Sequence, residues 1–399
     1  MPLLLIRAAS LLDGSGASPI HDAALLVDGE AGRIRAIGRG ADFGAPPDAQ
    51  VLDLGERCLL PGFVDMHNHL RLSHLEPEPA AQVHDEPVAY VLHAVRHLGL
   101  ALASGITTLR CNGDRDFFDV RLRDAVAAGL VEGPRLLVAT RGIKATSCTG
   151  GLVATVLADG ADRIRRAIRE NARQGADHIK VFVSGGLGPP ATAARAFWTD
   201  EEVRVAVEEA HRAGLPIVAH CHGGASAWPL IEAGVDVLEH GSYLTEAELA
   251  EMARRGTRLD LTLGIVLSPR SQAHQHLRQR LAPDEFEGMV EQVRATVRRA
   301  IELGVPLLLG TDTMHGMLAF EAAALADLGL PNGQVVETIT ARAAAALGQA
   351  DAFGRLRPGL AADVVAVDGD PLRDIGALGR PAFVMARGKV VVGVRRRRG

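Results

Sequence analysis

Between residues 62 and 309 the sequence repeats one rhythm, a short β-branched run followed by a long amphipathic stretch. The runs at 62–66, 106–109, 135–139, 178–183, 217–220, 235–238, 258–263 and 306–309 predict strands. The stretches at 87–103, 159–174, 199–213, 225–233, 245–254 and 283–303 predict helices. Thr199 followed three residues later by Glu202 is a capping box, and Gly214, Gly234 and Gly304 stand where a helix end wants a left-handed residue. Alternating strands and helices imply parallel strands. Eight such units over roughly 250 residues are the arithmetic of an α/β (β/α)8 TIM barrel. A doubly wound open sheet is the structural alternative.

Both ends have another texture. Leu3-Leu-Leu-Ile6, Ala24-Leu-Leu-Val27 and Ile34-Arg-Ala-Ile37 are short apolar stretches separated by Asp-Gly and Gly-rich turns. Asp363-Val-Val-Ala-Val-Asp368, Ala382-Phe-Val-Met385 and Lys389-Val-Val-Val392 repeat that pattern near the C-terminus, with a turn at Arg387-Gly388. The expected organisation is a small β domain from residues 1–58 and 358–399, with the catalytic barrel at 59–357 inserted in it.

Composition narrows the function. No apolar run approaches the ~18 residues of a membrane span. The start, Met1 to Arg7, lacks a basic region and a small-residue cleavage site, so no secretory signal is expected. Cys58, Cys111, Cys148 and Cys221 lie far apart with no CxxC pattern, which argues against a disulfide framework and suits a reducing cytoplasm. The net charge of −5 gives no general pull toward nucleic acid, and Arg395 to Arg398 read as a solvated terminus. A small-molecule substrate is therefore expected, without nucleic acid or membrane, and a homo-oligomer stays open. One ratio stands out: 15 His against 10 Phe, 2 Trp and 2 Tyr. Histidine is the commonest metal ligand.

Position matters more than that count. Leu60-Pro-Gly-Phe-Val-Asp-Met-His-Asn-His69 ends an apolar strand in His67 and His69, which share a face at i and i+2. Ile217-Val-Ala-His220, Asp236-Val-Leu-Glu-His240 and Pro306-Leu-Leu-Leu-Gly-Thr-Asp312 also end in ligand-type residues. In a barrel, the C-terminal strand ends carry the active site. Lys180 lies inside the apolar run His178-Ile-Lys-Val-Phe-Val183. A buried ammonium is costly unless paired. Burial favours the neutral amine, which can add CO2 to become a carbamate, a carboxylate able to bridge two ions. Nitrogen and oxygen ligands suit zinc or a similar divalent ion.

These stretches resemble the binuclear branch of the amidohydrolase superfamily, near its imidazolonepropionase-related and Xaa-Pro dipeptidase-like group. Gly105-Ile-Thr-Thr-Leu-Arg110, Gly133-Pro-Arg135, Gly175-Ala-Asp-His-Ile-Lys180, Ser184-Gly-Gly186, Leu238-Glu-His-Gly241 and Arg357-Pro-Gly-Leu-Ala-Ala-Asp363 extend the likeness over nearly the whole chain. The resemblance implies a barrel with a β-sandwich from both termini. By position, His67 and His69 would hold one metal with Asp312, a carboxylated Lys180 would bridge, and His220 and His240 would hold the second. Two such ions can share a hydroxide made acidic by both. Asp312 would take its proton and pass it to the leaving group.

The implied activity is metal-dependent hydrolysis of a C–N bond in a dipeptide or N-acyl amino acid. Carbamate, urea, ester and lactone hydrolysis use the same machinery. A mononuclear deaminase is disfavoured by His220-Cys-His-Gly223, which lacks the expected Glu, and a scaffold protein by the filled ligand positions. Tyr243 resembles a binder of a substrate carboxylate, and His222 and Arg141 are further candidate substrate contacts. Lys144 and Arg270 are placed where an anion can be met, a solvated charge being the other reading. Thr149-Gly-Gly-Leu152 lacks the histidine that dipeptidase-like relatives carry there, so dipeptide specificity stays open.

Overall fold

The computed structural model describes residues 3–393 except 45 and 47, so the basic run Arg395 to Arg398 lies outside the described residues. The chain divides into two compact units. One comprises Met1–Asp65, Leu98–Leu109 and Gly316–Gly399, and the other Met66–His97 and Arg110–His315.

The first unit is built on an eight-stranded sheet drawn from both ends of the chain. Its order is Lys389–Val392, Pro381–Ala386, Val364–Val367, Cys58–Pro61, Leu3–Leu11, Ile20–Asp28 and Arg33–Arg39, with Gln50–Asp53 also paired to Leu3–Leu11. Val364–Val367 runs antiparallel to Cys58–Pro61, joining the C-terminal strands to the N-terminal ones. The period of two is visible in the packing. Leu4, Ile6 and Ala8 point to one face, Leu4 lies opposite Val27 and Ile6 opposite Leu25. All five belong to a buried cluster with Leu356, Phe383 and Met385. Each large side chain buried there stabilises by about 1.5–3 kcal/mol. Arg387 and Gly388 have φ of +50° and +76°, the two left-handed residues of a tight hairpin turn.

The second unit holds a parallel seven-stranded sheet. Its order is Ala154–Leu157, Gly142–Lys144, Ile179–Phe182, Ile217–Gly223, Val237–Tyr243, Arg258–Leu261 and Leu307–Leu309. A three-stranded sheet combines Phe63–Asn68, Ile106–Cys111 and Arg135–Val138, and its first two strands begin in the first unit. The Asp312 N–H donates to the His67 carbonyl at 2.6 Å, and the Asp177 N–H to the Val138 carbonyl at 2.7 Å. Helices Ala161–Arg173, Asp200–Arg212, Ala227–Ala233, Glu246–Arg255 and Pro283–Glu302 follow their strands as the amphipathic pattern predicts. The Thr199–Glu202 capping box is made in both directions. Ile217–Gly223 is buried at every position, which is why it reads as a nearly continuous apolar run. The parallel seven-stranded sheet with its intervening helices is consistent with a TIM-barrel-type α/β fold.

The structure adds elements that the pattern did not announce. After Arg258–Leu261 come two short helices, Leu263–Leu267 and Gln272–Arg280, and the Ser271 hydroxyl caps the second by accepting from the His274 N–H. The strands predicted to end at His220 and near Leu238 run on to Gly223 and Tyr243. Among the described residues no helix is long and apolar enough to cross a membrane.

Candidate metal centre

The strand ends bring the ligand-type residues together. Phe63–Asn68 carries His67, with His69 one residue beyond it. Ile179–Phe182 carries Lys180, Ile217–Gly223 carries His220 and His222, and Val237–Tyr243 carries Glu239 and His240. Asp312 follows Leu307–Leu309 and forms a parallel bridge with Asn68. Gly310 permits this approach, since a Cβ there would lie 2.2 Å from the His67 Cβ.

His67 Nε2 and His69 Nε2 are 3.3 Å apart. Asp312 Oδ1 is 3.5 Å from the His69 nitrogen and 3.8 Å from that of His67. The His240 ring centroid is 5.2 Å from His67, 4.6 Å from His220 and 4.9 Å from His222, which stacks on it. Among the described residues, three sets of donor atoms are close enough to share one ion: His67–His240–Asp312, His220–His222–His240, and His67–Glu239–Asp260. His222 therefore stands among the candidate ligands.

Hydrogen bonds fix several ring faces. A carbonyl can only accept, so His69 Nδ1 carries the hydrogen it gives to Gly113 (2.9 Å), and His69 Nε2 presents a lone pair. By the same logic His220 Nε2 donates to the Gly185 carbonyl at 2.8 Å, leaving the Nδ1 lone pair. His240 Nδ1 meets the Thr262 hydroxyl at 2.7 Å. His240 and Asp312 hold φ of +67° and +54°, unusual for non-glycine residues. Such strain, on the order of 1–3 kcal/mol per residue, persists where the surroundings over-determine it. At Asp312 both sides of the backbone are tied, its N–H to His67 and its carbonyl to the His69 N–H.

Sequence reasoning missed the charges beneath the ligands. Lys180 pairs with Glu239, both side chains wholly buried. Glu239 also accepts from Asn112, whose oxygen meets His178 Nε2 at 2.9 Å. Arg110 pairs with Asp260 at 2.8 Å and donates from Nε to the Met66 carbonyl at 2.6 Å, one residue before His67. A Glu directly before His240 and an Asp inside Arg258–Leu261 were the available signals, but neither names its partner.

Burial sets the protonation pattern. It holds His67, His220 and His240 well below the usual imidazole range, His69 down to about 3 and His222 to about 4. All are thus neutral near pH 7, the form that can bind a metal. Burial also holds the Lys180 amine well below its ordinary value, against the opposing pull of Asp312. The Asp312 carboxyl is pushed up to about 7 by burial, which outweighs the nearby Lys180.

The same unit contains a cavity of about 710 Å3 lined by His67, His69, His220, His222, His240 and Asp312. Leu152, Val153, Phe182, Leu187, Leu263 and Val266 give it apolar walls. Tyr243 does not line it, and its hydroxyl donates to the Gly188 carbonyl at 2.7 Å. Arg141 does not line it either. It pairs with Glu170 at 2.9 Å and lies over the Phe117 ring. The Lys144 ammonium donates to the Gly150 and Gly151 carbonyls.

A strand-end cluster of neutral imidazoles with a buried lysine and an aspartate is a candidate site for a divalent metal ion. The sequence profile of the amidohydrolase family matches residues 58–391, and the chain belongs to that family of hydrolases acting on carbon–nitrogen bonds. Ochratoxinase from Aspergillus niger is 27% identical over 414 aligned positions, covering 95% of this chain and 84% of the relative. Imidazolonepropionase from Streptomyces coelicolor is 27% identical, covering 92% of this chain and 90% of the relative. The crystal structure of a Xaa-Pro dipeptidase with methionine in its active site superposes with a TM-score of 0.84 at 26% identity, covering 98% of this chain and 100% of that one.

Proposed function

We propose that this chain is a binuclear metal-dependent hydrolase that cleaves an amide-type C–N bond in a small substrate. One observation carries the metal reading. Nitrogens bound about 2.0–2.1 Å from one tetrahedral ion lie about 3.3 Å apart. His67 Nε2 and His69 Nε2 have that separation, 3.3 Å, with one carboxylate oxygen of Asp312 facing both. His67, His69 and Asp312 would hold one ion, His220 and His240 the second, and a carboxylated Lys180 would bridge them. Divalent ions bound there, zinc being the first expectation, would polarise a carbonyl and acidify a water.

The chain's own residues do the rest. Asp312 accepts a proton from the attacking water and delivers it to the leaving nitrogen, a step amide cleavage needs because an amide anion leaves poorly. Thr262 and Gly113 orient the rings of His240 and His69. The apolar walls exclude water around the scissile bond. The likeness to ochratoxinase and to a Xaa-Pro dipeptidase supports an amide or a dipeptide as substrate. We also read eight of the ten strands in the seven- and three-stranded sheets, all but Gly142–Lys144 and Ala154–Leu157, as one closed (β/α)8 barrel. The Asn68–Asp312 bridge and the Asp177–Val138 hydrogen bond support closure at its two seams. Residues 1–58 and 358–399 would then form the small β-sandwich domain.

Metal analysis followed by a screen of dipeptides, N-acyl amino acids, carbamates and lactones tests this reading. Turnover of an N-acyl amino acid or dipeptide that chelation abolishes is expected. Hydrolysis that survives full removal of metal contradicts it.

A further inference from the structure

The cavity has a second chemical feature away from the ligand set. His276 and Arg280 lie four residues apart on the helix Gln272–Arg280, and both line it. Positions i and i+4 share a helix face. Leu277, on the same helix, is buried and lines the cavity too. Arg280 is the only lysine or arginine in the lining, against two carboxylates, Asp312 and Glu78. No carboxylate pairs with Arg280 among the described residues. Its guanidinium donates from Nη1 to His276 Nε2 at 3.2 Å. A guanidinium can only donate, so His276 accepts with Nε2 and carries its hydrogen on Nδ1. The remaining N–H groups of Arg280 are left for an external acceptor, and a planar guanidinium matches a carboxylate in two-point geometry.

We propose that Arg280, oriented by His276, binds a carboxylate of the substrate. The substrate class is an amide that carries both a carboxylate and a bulky apolar side chain, seated against Phe182, Leu187, Leu263 and Leu277. This rests on the hydrolase reading and assigns the recognition that neither Tyr243 nor Arg141 is placed to supply. A cavity of about 710 Å3 lies within the range of small-molecule sites and accommodates both groups.

The test compares N-acetyl-L-phenylalanine with N-acetylphenethylamine, which keeps the amide and the ring but lacks the carboxylate. The metal-loaded protein and its Arg280→Gln variant are assayed with both. Arg280 is exposed, so the variant should fold. The wild type should favour the acid by about tenfold or more, the worth of one charge-assisted contact. Arg280→Gln should raise KM for the acid by that factor, leave kcat within about threefold, and leave the neutral amide unchanged. Arg280→Lys should recover part of the loss. An unchanged KM for the acid in Arg280→Gln overturns the proposal while the hydrolase reading stands. If neither amide is turned over, calorimetric binding of N-benzoyl-L-phenylalanine decides. Binding weakened by Arg280→Gln keeps the carboxylate site and counts against N-acyl amino acids as substrates. Equal binding by both proteins rejects the site.

Discussion

Lys180 and Glu239 form an ion pair in which neither side chain retains any exposure to solvent. Glu239 also approaches His67 Nδ1 at 3.5 Å, so the pair borders the candidate ligands. Removing one partner of a buried pair leaves an uncompensated charge.

In the metal-free protein, where Lys180 faces Glu239 as an amine, Lys180→Ala should therefore cost about 3–5 kcal/mol of stability; after metal loading the variant should show almost no hydrolysis. Lys180→Ala with Glu239→Gln should recover much of the stability and none of the activity. Added short carboxylates should partly restore metal content and turnover to Lys180→Ala, by standing in for the carbamate. Denaturant melts and metal analysis of both variants check this. Full activity in Lys180→Ala would remove the carbamate bridge from the mechanism.

Asp312→Asn should keep metal but lose about 10²–10⁴ in kcat, the usual worth of a positioned proton carrier. Normal amide turnover by this variant would show that another group moves the proton.

Gly310→Ala tests the close approach of the segment after Leu307–Leu309 to Phe63–Asn68. A Cβ there would overlap that of His67, so the two backbones must move apart. Overpacking of this kind costs typically about 1–3 kcal/mol. Metal occupancy should fall along with Tm, because the strain falls on a ligand. A variant with wild-type metal content and stability would contradict the assigned geometry.

The metal-free protein should weaken in mild acid. Burial holds His69 at about 3, and His74 and His222 at about 4. In the unfolded chain they titrate near 6.5. Their folded values are depressed, so their stability contribution is complete above about pH 6.5. It is lost as pH falls through about 4, at up to about 1.4 kcal/mol per pH unit for each group. Denaturant melts of chelated protein between pH 7 and 4 should show this slope, and His74→Gln should reduce it by about one proton. A flat profile would contradict the burial assigned to these rings.

Much of this was legible because the relevant signals are local. An apolar run ending in His67, His220 or His240 marks both a buried strand and a candidate ligand at its end. Lys180 could be singled out because no lysine belongs unpaired in such a run. Glu239, Asp260 and Arg110 escaped notice since their meaning lies in contacts between strands far apart in sequence. Position in the sequence singles out Tyr243 and Arg141, but their side chains turn to the Gly188 carbonyl and to Glu170. The helix Gln272–Arg280 is short and polar, so its pattern carried little weight, yet it supplies Arg280 to the cavity.

The central claim is that two metal ions share one site through Lys180. Metal stoichiometry of the purified protein, measured beside Lys180→Ala and correlated with amide turnover, tests it most directly. The account predicts two divalent ions per chain in the wild type, fewer in the variant, and activity that follows the second ion. One ion per chain with full activity, unchanged in Lys180→Ala, would contradict it.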